Sequence, residues 1–218
     1  MNLDSIVEAT VAEMDQTNKA RETALATSRS LIRQCANAIR AIHRQEWDGA
    51  RTLMDEAGLT ADELRARLVE HPAILHAGYT QDALKEYAEA RLTYAMVRDE
   101  PLPGPAAIAV APAAYLNGLA EAASELRRFI LDGLRHGDVS TGERLLAAMD
   151  DVYSLLVTVD YPDAVTSGLR RTTDALRAVL ERTRGDLTAA LRQDQLMSAL
   201  AQVEARLRPS DDRAAEAG

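Results

Sequence analysis

The sequence predicts an all-α protein, and three observations carry that expectation. Alanine, leucine, arginine and glutamate dominate the 218 residues, and only 4% are aromatic. No stretch sustains the period-two alternation of a half-buried strand. Glycines and prolines are sparse and fall in groups, and those groups mark the boundaries. The expected architecture is a single all-α domain, an antiparallel bundle of about six or seven helices over residues 1–208. A polar tail, 209–218, is expected to be disordered.

The elements follow in order. A first helix is expected from about Leu3 to Trp47, with Leu25, Leu31, Ile32, Ile39 and Ile42 at mixed spacings of three and four. A second is expected to begin near Thr60, an N-cap with Glu63 at the capping-box position, and to end before Pro72. Gly78, with Thr80 as N-cap, opens a third from about Gln81 to Asp99. PLPGPAAIAVAP, residues 101–112, is the one long helix-breaking insert. A fourth helix spans about Ala113 to Arg135, with Leu116, Leu119, Ala123, Leu126, Ile130 and Leu134 as its apolar stripe and Gly137 as its stop. Ser140 or Thr141 starts the fifth. Pro162 starts the sixth at the favoured first-turn position, and Gly185 is expected to break it before a last helical segment reaching Leu207.

Composition also excludes function classes. At 47% hydrophobic and 27% charged, the chain can bury a core, which sets aside disorder. No apolar run approaches the roughly 18 residues that span a bilayer. The acidic opening MNLDSIVEATVAEMD is unlike a signal or transit peptide. A lone Cys35 can form neither an internal disulfide nor a cysteine-based zinc site, so the expected compartment is a reducing cytoplasm. The net charge of −9 argues against whole-surface attraction to nucleic acid. Lys19 and Lys85 are the only lysines, so nearly every cation is an arginine, whose planar fork can grip phosphate. P-loop, dinucleotide, HExxH and ExxH signatures are absent. His43, His71, His76 and His136 are too scattered to suggest a metal site.

Carboxylates carry the chemistry. Asp82, Glu86 and Glu89 fall at i, i+4 and i+7, one stripe of a helix. Beyond the insert, Asn117, Glu121, Glu125 and Arg128 form the polar stripe of the next helix, which the connection makes an antiparallel neighbour. If the stripes face each other, four glutamates converge. Converging carboxylates persist when protonated or neutralised by a hard cation such as Mg²⁺ or Mn²⁺. If the stripes face outward, each is a solvated face opposite an apolar one. Both readings stand at this point. Arginines gather in three places: Arg21 to Arg44 on the first helix, Arg127 and Arg128, and Arg170 to Arg184. They suit either a phosphate track or helix-surface ion pairs.

Three segments resemble the translin family, and in particular its translin-associated factor X (TRAX) branch. RETALATSRSLIRQCANAIRAIHR, residues 21–44, is similar to the family's opening helix. LKEYAEA, residues 84–90, resembles the TRAX acidic helix with its Glu-x-x-Glu pair. YLNGLAEAASELRR, residues 115–128, carries the most specific match, Tyr-Leu-x-Gly followed by Ser-Glu-Leu-x-Arg. The likeness covers about residues 20–190.

The resemblance implies a seven-helix α-superhelix assembling into a hollow shell, an octamer, that holds single-stranded or short duplex nucleic acid. It also implies Mg²⁺-dependent endoribonuclease activity. Glu86 and Glu89 match the paired glutamates, and Glu121 stands where the family has an aspartate, so its carboxylate reaches about 1.5 Å further. The expected metal-binding and catalytic set is Glu86, Glu89, Glu121 and Glu125, the last as ligand or proton acceptor, with Arg29, Arg33 and Arg128 on the RNA. The rival expectation is a nucleic-acid-binding shell without catalysis.

Overall fold

A computed structural model of the chain describes residues 2–207; the tail expected to be disordered, 209–218, lies outside them. Among the described residues there are eight helices and no strand: α1 (Leu3–His43), α2 (Trp47–Arg67), α3 (Pro72–Leu75), α4 (Gly78–Arg98), α5 (Pro112–Arg135), α6 (Val139–Leu156), α7 (Asp163–Thr166) and α8 (Leu169–Leu207). Six are long, and α3 and α7 are single turns. None is long and apolar enough to cross a membrane.

The helices pack as a sequence of neighbours: α2 on α1, α1 on α4, α4 on α5, and α5 on both α6 and α8. Two apolar clusters fill the seams. One gathers Leu31, Cys35, Leu64, Leu84 and Leu92 around α1, α2 and α4. The other gathers Leu126, Ile130, Leu145, Met149, Leu176 and Leu180 around α5, α6 and α8. Helix α5 contributes to both, and so is the spine of the molecule. The proline-rich segment folds back on it: Ile108 and Val110 are buried, and the Tyr115 hydroxyl donates to the Pro103 carbonyl at 2.9 Å.

Several boundaries differ from the sequence reading. The first helix ends at His43, not Trp47, because Gln45 turns the chain with φ of 58°. The second starts at Trp47, not near Thr60. Thr60 lies mid-helix with its hydroxyl donating to the Glu56 carbonyl, and Glu63 pairs with Arg67 instead of closing a capping box. Thr80 is likewise not an N-cap: it is buried in the first turn of α4, bonded to the Ile74 carbonyl at 2.8 Å. For α6 the cap is Asp138, two residues before the expected Ser140, accepting from the Thr141 amide. Pro162 opens only α7, since Ser167 and Gly168 both take left-handed backbone and α8 begins anew at Leu169. Gly185 does not break α8. Its hydrogen-bonded helix continues past it, because a glycine costs an exposed helix only about 1 kcal/mol.

The two outermost helices outrun the body. Residues 3–19 of α1 and 192–206 of α8 are exposed along their whole length. They leave Leu3, Val7, Val11 and Met14 on one, and Leu196, Leu200 and Val203 on the other, in water.

Candidate functional site

The glutamates that matter sit on the seam between α4 and α5. Glu86 and Glu89, three residues apart, lie on one face of α4. Glu121 reaches them from α5. One carboxylate oxygen from each of these three lies within 4.8 Å of the others. Gly118 makes the approach possible. A Cβ there would meet the Lys85 carbonyl oxygen at 2.8 Å, the Ala88 Cβ at 3.0 Å and the Glu89 amide nitrogen at 3.1 Å. The backbone of α5 therefore rests against α4 one turn before Glu121, directly beside the Glu-x-x-Glu pair.

Of the two readings of the acidic stripes, the convergent one holds for these residues. Glu89 is only 8% exposed. Burial first, then the charges of Glu86, Glu121 and Glu125, push its carboxyl up to about 8 against the pull of Lys85. Asp82, on the same sequence stripe, stays exposed. Asn117 departs from the expected polar stripe: it is buried and ties three elements together. Its amide donates to the Ala113 and Thr166 carbonyls, and its oxygen accepts from the Thr172 hydroxyl at 2.6 Å. An asparagine can satisfy both its donor and acceptor ends inside a seam, and helical periodicity alone does not distinguish that from a surface position.

Glu125 stands one turn beyond Glu121, outside the group of three. Its carboxylate accepts from His43 Nε2 at 2.6 Å. An ionised carboxylate only accepts, so Nε2 is the donor of this pair. The His43 side chain is 5% exposed, stacks on Phe129 with ring centroids 4.8 Å apart, and has a buried Nδ1 without a partner. His43, passed over in the sequence because it stands alone, thus locates Glu125. The signal that could have found it is its place at the end of the basic, apolar α1. The same helix passes the triad at Cys35, whose thiol is pushed up to about 12 by burial and by the charges of Glu86 and Glu89.

Lys85 is the cation of the seam. Its Nζ lies 2.6 Å and 2.8 Å from the two carboxylate oxygens of Glu121 and 3.3 Å from Glu86, and it leaves Glu89 without an ion pair among the described residues. Arg128 is exposed on α5, with Asp132 at 3.9 Å, and lines a cavity of about 400 Å³ with His43, Ser124, Glu125 and Arg127. Arg127 is turned toward α8, bonding Thr183 and Asp186. Arg29 and Arg33 are exposed on α1.

Three hard oxygen donors, one of them buried with its carboxyl raised first by burial and then by its acidic neighbours, can hold a metal ion: a divalent cation offsets the repulsive part of that shift.

Comparison with known proteins gives the family. No family model matches the chain. An uncharacterized protein of Methanocaldococcus jannaschii is 30% identical over 189 residues, which cover 86% of this chain and 83% of that protein. Among solved structures, AfC3PO, both alone and in a complex with duplex RNA, superposes with a TM-score of 0.77 at 30% identity, covering 86% of this chain and 97% of the other. NeC3PO in its apo form superposes with a TM-score of 0.75 at 19% identity over 87% of this chain and 97% of its own, a likeness of fold alone. With nearly a third of its residues shared with AfC3PO over most of both chains, and the same helical course, this chain belongs to the translin family, the translin/TRAX proteins among which C3PO is counted.

Proposed function

We propose that the protein is a divalent-metal-dependent endoribonuclease that binds and cleaves single-stranded RNA inside a hollow homo-oligomeric shell. The observation that carries this reading is the convergent triad Glu86, Glu89 and Glu121, with Glu89 buried at its centre and its carboxyl far above the ordinary range. The Glu-x-x-Glu pair aligns the chain with the TRAX branch of the family. AfC3PO has been solved with duplex RNA, which supports nucleic acid as the ligand class.

Glu86, Glu89 and Glu121 would hold Mg²⁺ or Mn²⁺. Such an ion supplies charge stabilisation at a phosphodiester and acidifies a water. The remaining steps belong to the chain. Glu125, oriented by the Nε2–H of His43, accepts the proton of the attacking water. Arg128, extended into solvent beside it, meets the scissile phosphate. Arg29 and Arg33 bind backbone phosphates and carry no sequence preference. The exposed apolar edges of α1 and α8 support assembly, with an octamer as the expected state, in which they are covered by other copies.

One contact favours a second reading, a nucleic-acid-binding shell without catalysis. Lys85 already neutralises Glu86 and Glu121 from within the chain. A single assay separates the two. Labelled unstructured RNA, with a duplex of the same sequence beside it, is incubated with wild type and Glu89→Gln in Mg²⁺, in Mn²⁺ and in EDTA. Cleavage that requires metal and drops at least 100-fold in the variant, with RNA binding retained, is the expected result. Wild type that binds both RNAs and cuts neither leaves the binding shell as the function.

A further inference from the structure

Lys85, which the binding-shell reading treats only as a neutralising charge, has a position that bears on metal binding as well. In a chain whose cations are otherwise arginines apart from Lys19, a lysine stands beside the acidic triad. The difference is chemical. An ammonium is a compact point charge with three donors that fits among carboxylate oxygens from different directions, whereas a guanidinium is larger and holds its donors in one rigid plane. Lys85 spans two of the three triad carboxylates, with both oxygens of Glu121 and one of Glu86 within 3.3 Å of Nζ, and its side chain is only 20% exposed.

Those oxygens are the ones that a divalent ion would use. Mg²⁺ takes carboxylate oxygens at about 2.0–2.1 Å and demands nearly regular octahedral geometry. With Nζ against both oxygens of Glu121, a metal ion on the same oxygens would stand within a few ångströms of a second positive charge. Ammonium and metal therefore exclude one another at Glu121. Four methylenes allow the ammonium to swing out with no movement of α4.

We propose that Lys85 is a resident counter-cation of the triad: it holds Glu86 and Glu121 together in the metal-free protein, and a divalent ion binds only by displacing it. Lys85 thereby sets the metal concentration at which the site fills. The inference rests on the metal-binding reading of the triad and adds a competitor to it.

The test uses the full chain without RNA. Mn²⁺ affinity is measured from the free-ion electron paramagnetic resonance signal for wild type, Lys85→Gln, Lys85→Arg and Glu89→Gln. Removing the competitor should tighten Mn²⁺ binding at least tenfold in Lys85→Gln, while Lys85→Arg, which keeps a charge beside Glu121, gains little. In EDTA, Lys85→Gln should melt below wild type and should recover more of its melting temperature on adding Mn²⁺. A measurement on wild type alone covers the case in which the variants do not fold. Amine labelling followed by mass spectrometry should show Lys85 more reactive in saturating Mg²⁺, with exposed Lys19 as the unchanged reference. Lys85→Gln binding Mn²⁺ no tighter than wild type, or Lys85 labelling unmoved by Mg²⁺, overturns the proposal while wild-type binding lost in Glu89→Gln leaves the metal site standing. If folded wild type and folded Lys85→Gln both fail to bind Mn²⁺, the metal site falls and the counter-cation with it.

Discussion

The acidic seam and the arginine row of α1 began as equivalent patterns, charged side chains repeating at helical spacing, and they end in opposite environments. Arg29, Arg33 and Arg40 remain exposed along one helix, where each can be solvated or can pair locally, as Arg40 does with Asn37 at 2.7 Å. Glu86, Glu89 and Glu121 come from two helices and are pressed together, one of them buried. Like charges do not gather of their own accord. The apolar seam of α4 and α5 and the missing side chain at Gly118 force them together, and Lys85 offsets part of the repulsion. A row of charges that stays in water costs nothing to build and contributes little. A cluster held against its own repulsion is poised to take up a cation.

The comparison breaks most sharply at Gly118. In Gly118→Ala the new methyl meets backbone atoms of Lys85 and Glu89, which cannot swing aside as a side chain would. Overpacking of this kind costs about 1–3 kcal/mol, more than the roughly 1 kcal/mol that alanine gains over glycine in a helix. Urea denaturation should show a net loss of stability. Mn²⁺ affinity should fall by about tenfold or more as Glu121 is carried away from Glu86 and Glu89. A variant as stable as wild type, with unchanged metal affinity, would remove Gly118 from the account.

The pH dependence of the metal-free protein sharpens the same contrast. Glu89 holds its proton up to about pH 8 when folded and releases it near 4.5 as an ordinary carboxyl when unfolded. Between these values the unfolded chain binds fewer protons, so this group's contribution to stability is full below about 4.5 and declines as pH rises toward 8. In EDTA the melting temperature of wild type should therefore drop relative to Glu89→Gln between pH 5 and 8. Parallel curves would mean that Glu89 ionises freely and that the seam is not under electrostatic strain.

The smallest effect belongs to the arginine row. Arg29→Ala and Arg33→Ala should each weaken RNA binding a few-fold whatever the sequence. Each should also reduce the slope of log affinity against log salt by about 0.7 for single strands. Cleavage at saturating RNA should be unchanged. A salt slope equal to that of wild type would place these arginines off the RNA path.

Much of the fold was legible in the residues. The apolar stripe of α5, the insert at 101–112 and the all-helical class all stand, because period 3.6 and proline chemistry are local properties. The failures were also local. Thr60, Thr80 and Gly185 carry cap or breaker chemistry, yet each sits inside a helix that tertiary packing extends through it. The candidate site was half legible. Glu86 and Glu89 share a face by spacing alone, whereas Asn117, one turn before Glu121 on the same expected stripe, proved to be a buried clamp. His43 signalled only by its place at the end of α1, because its partner Glu125 lies 82 residues away.

By itself, then, the sequence determined the all-helical class and which charges share a helix face, since both depend on neighbours within about four residues. Only the tertiary structure decided that α4 and α5 touch backbone to backbone at Gly118 and that Glu89 is buried. It also decided that Glu121 meets the pair and that Lys85 and His43 take Glu121 and Glu125. Burial and charge repulsion act through space, and nothing in the spacing of residues along one helix records what the next helix brings to it.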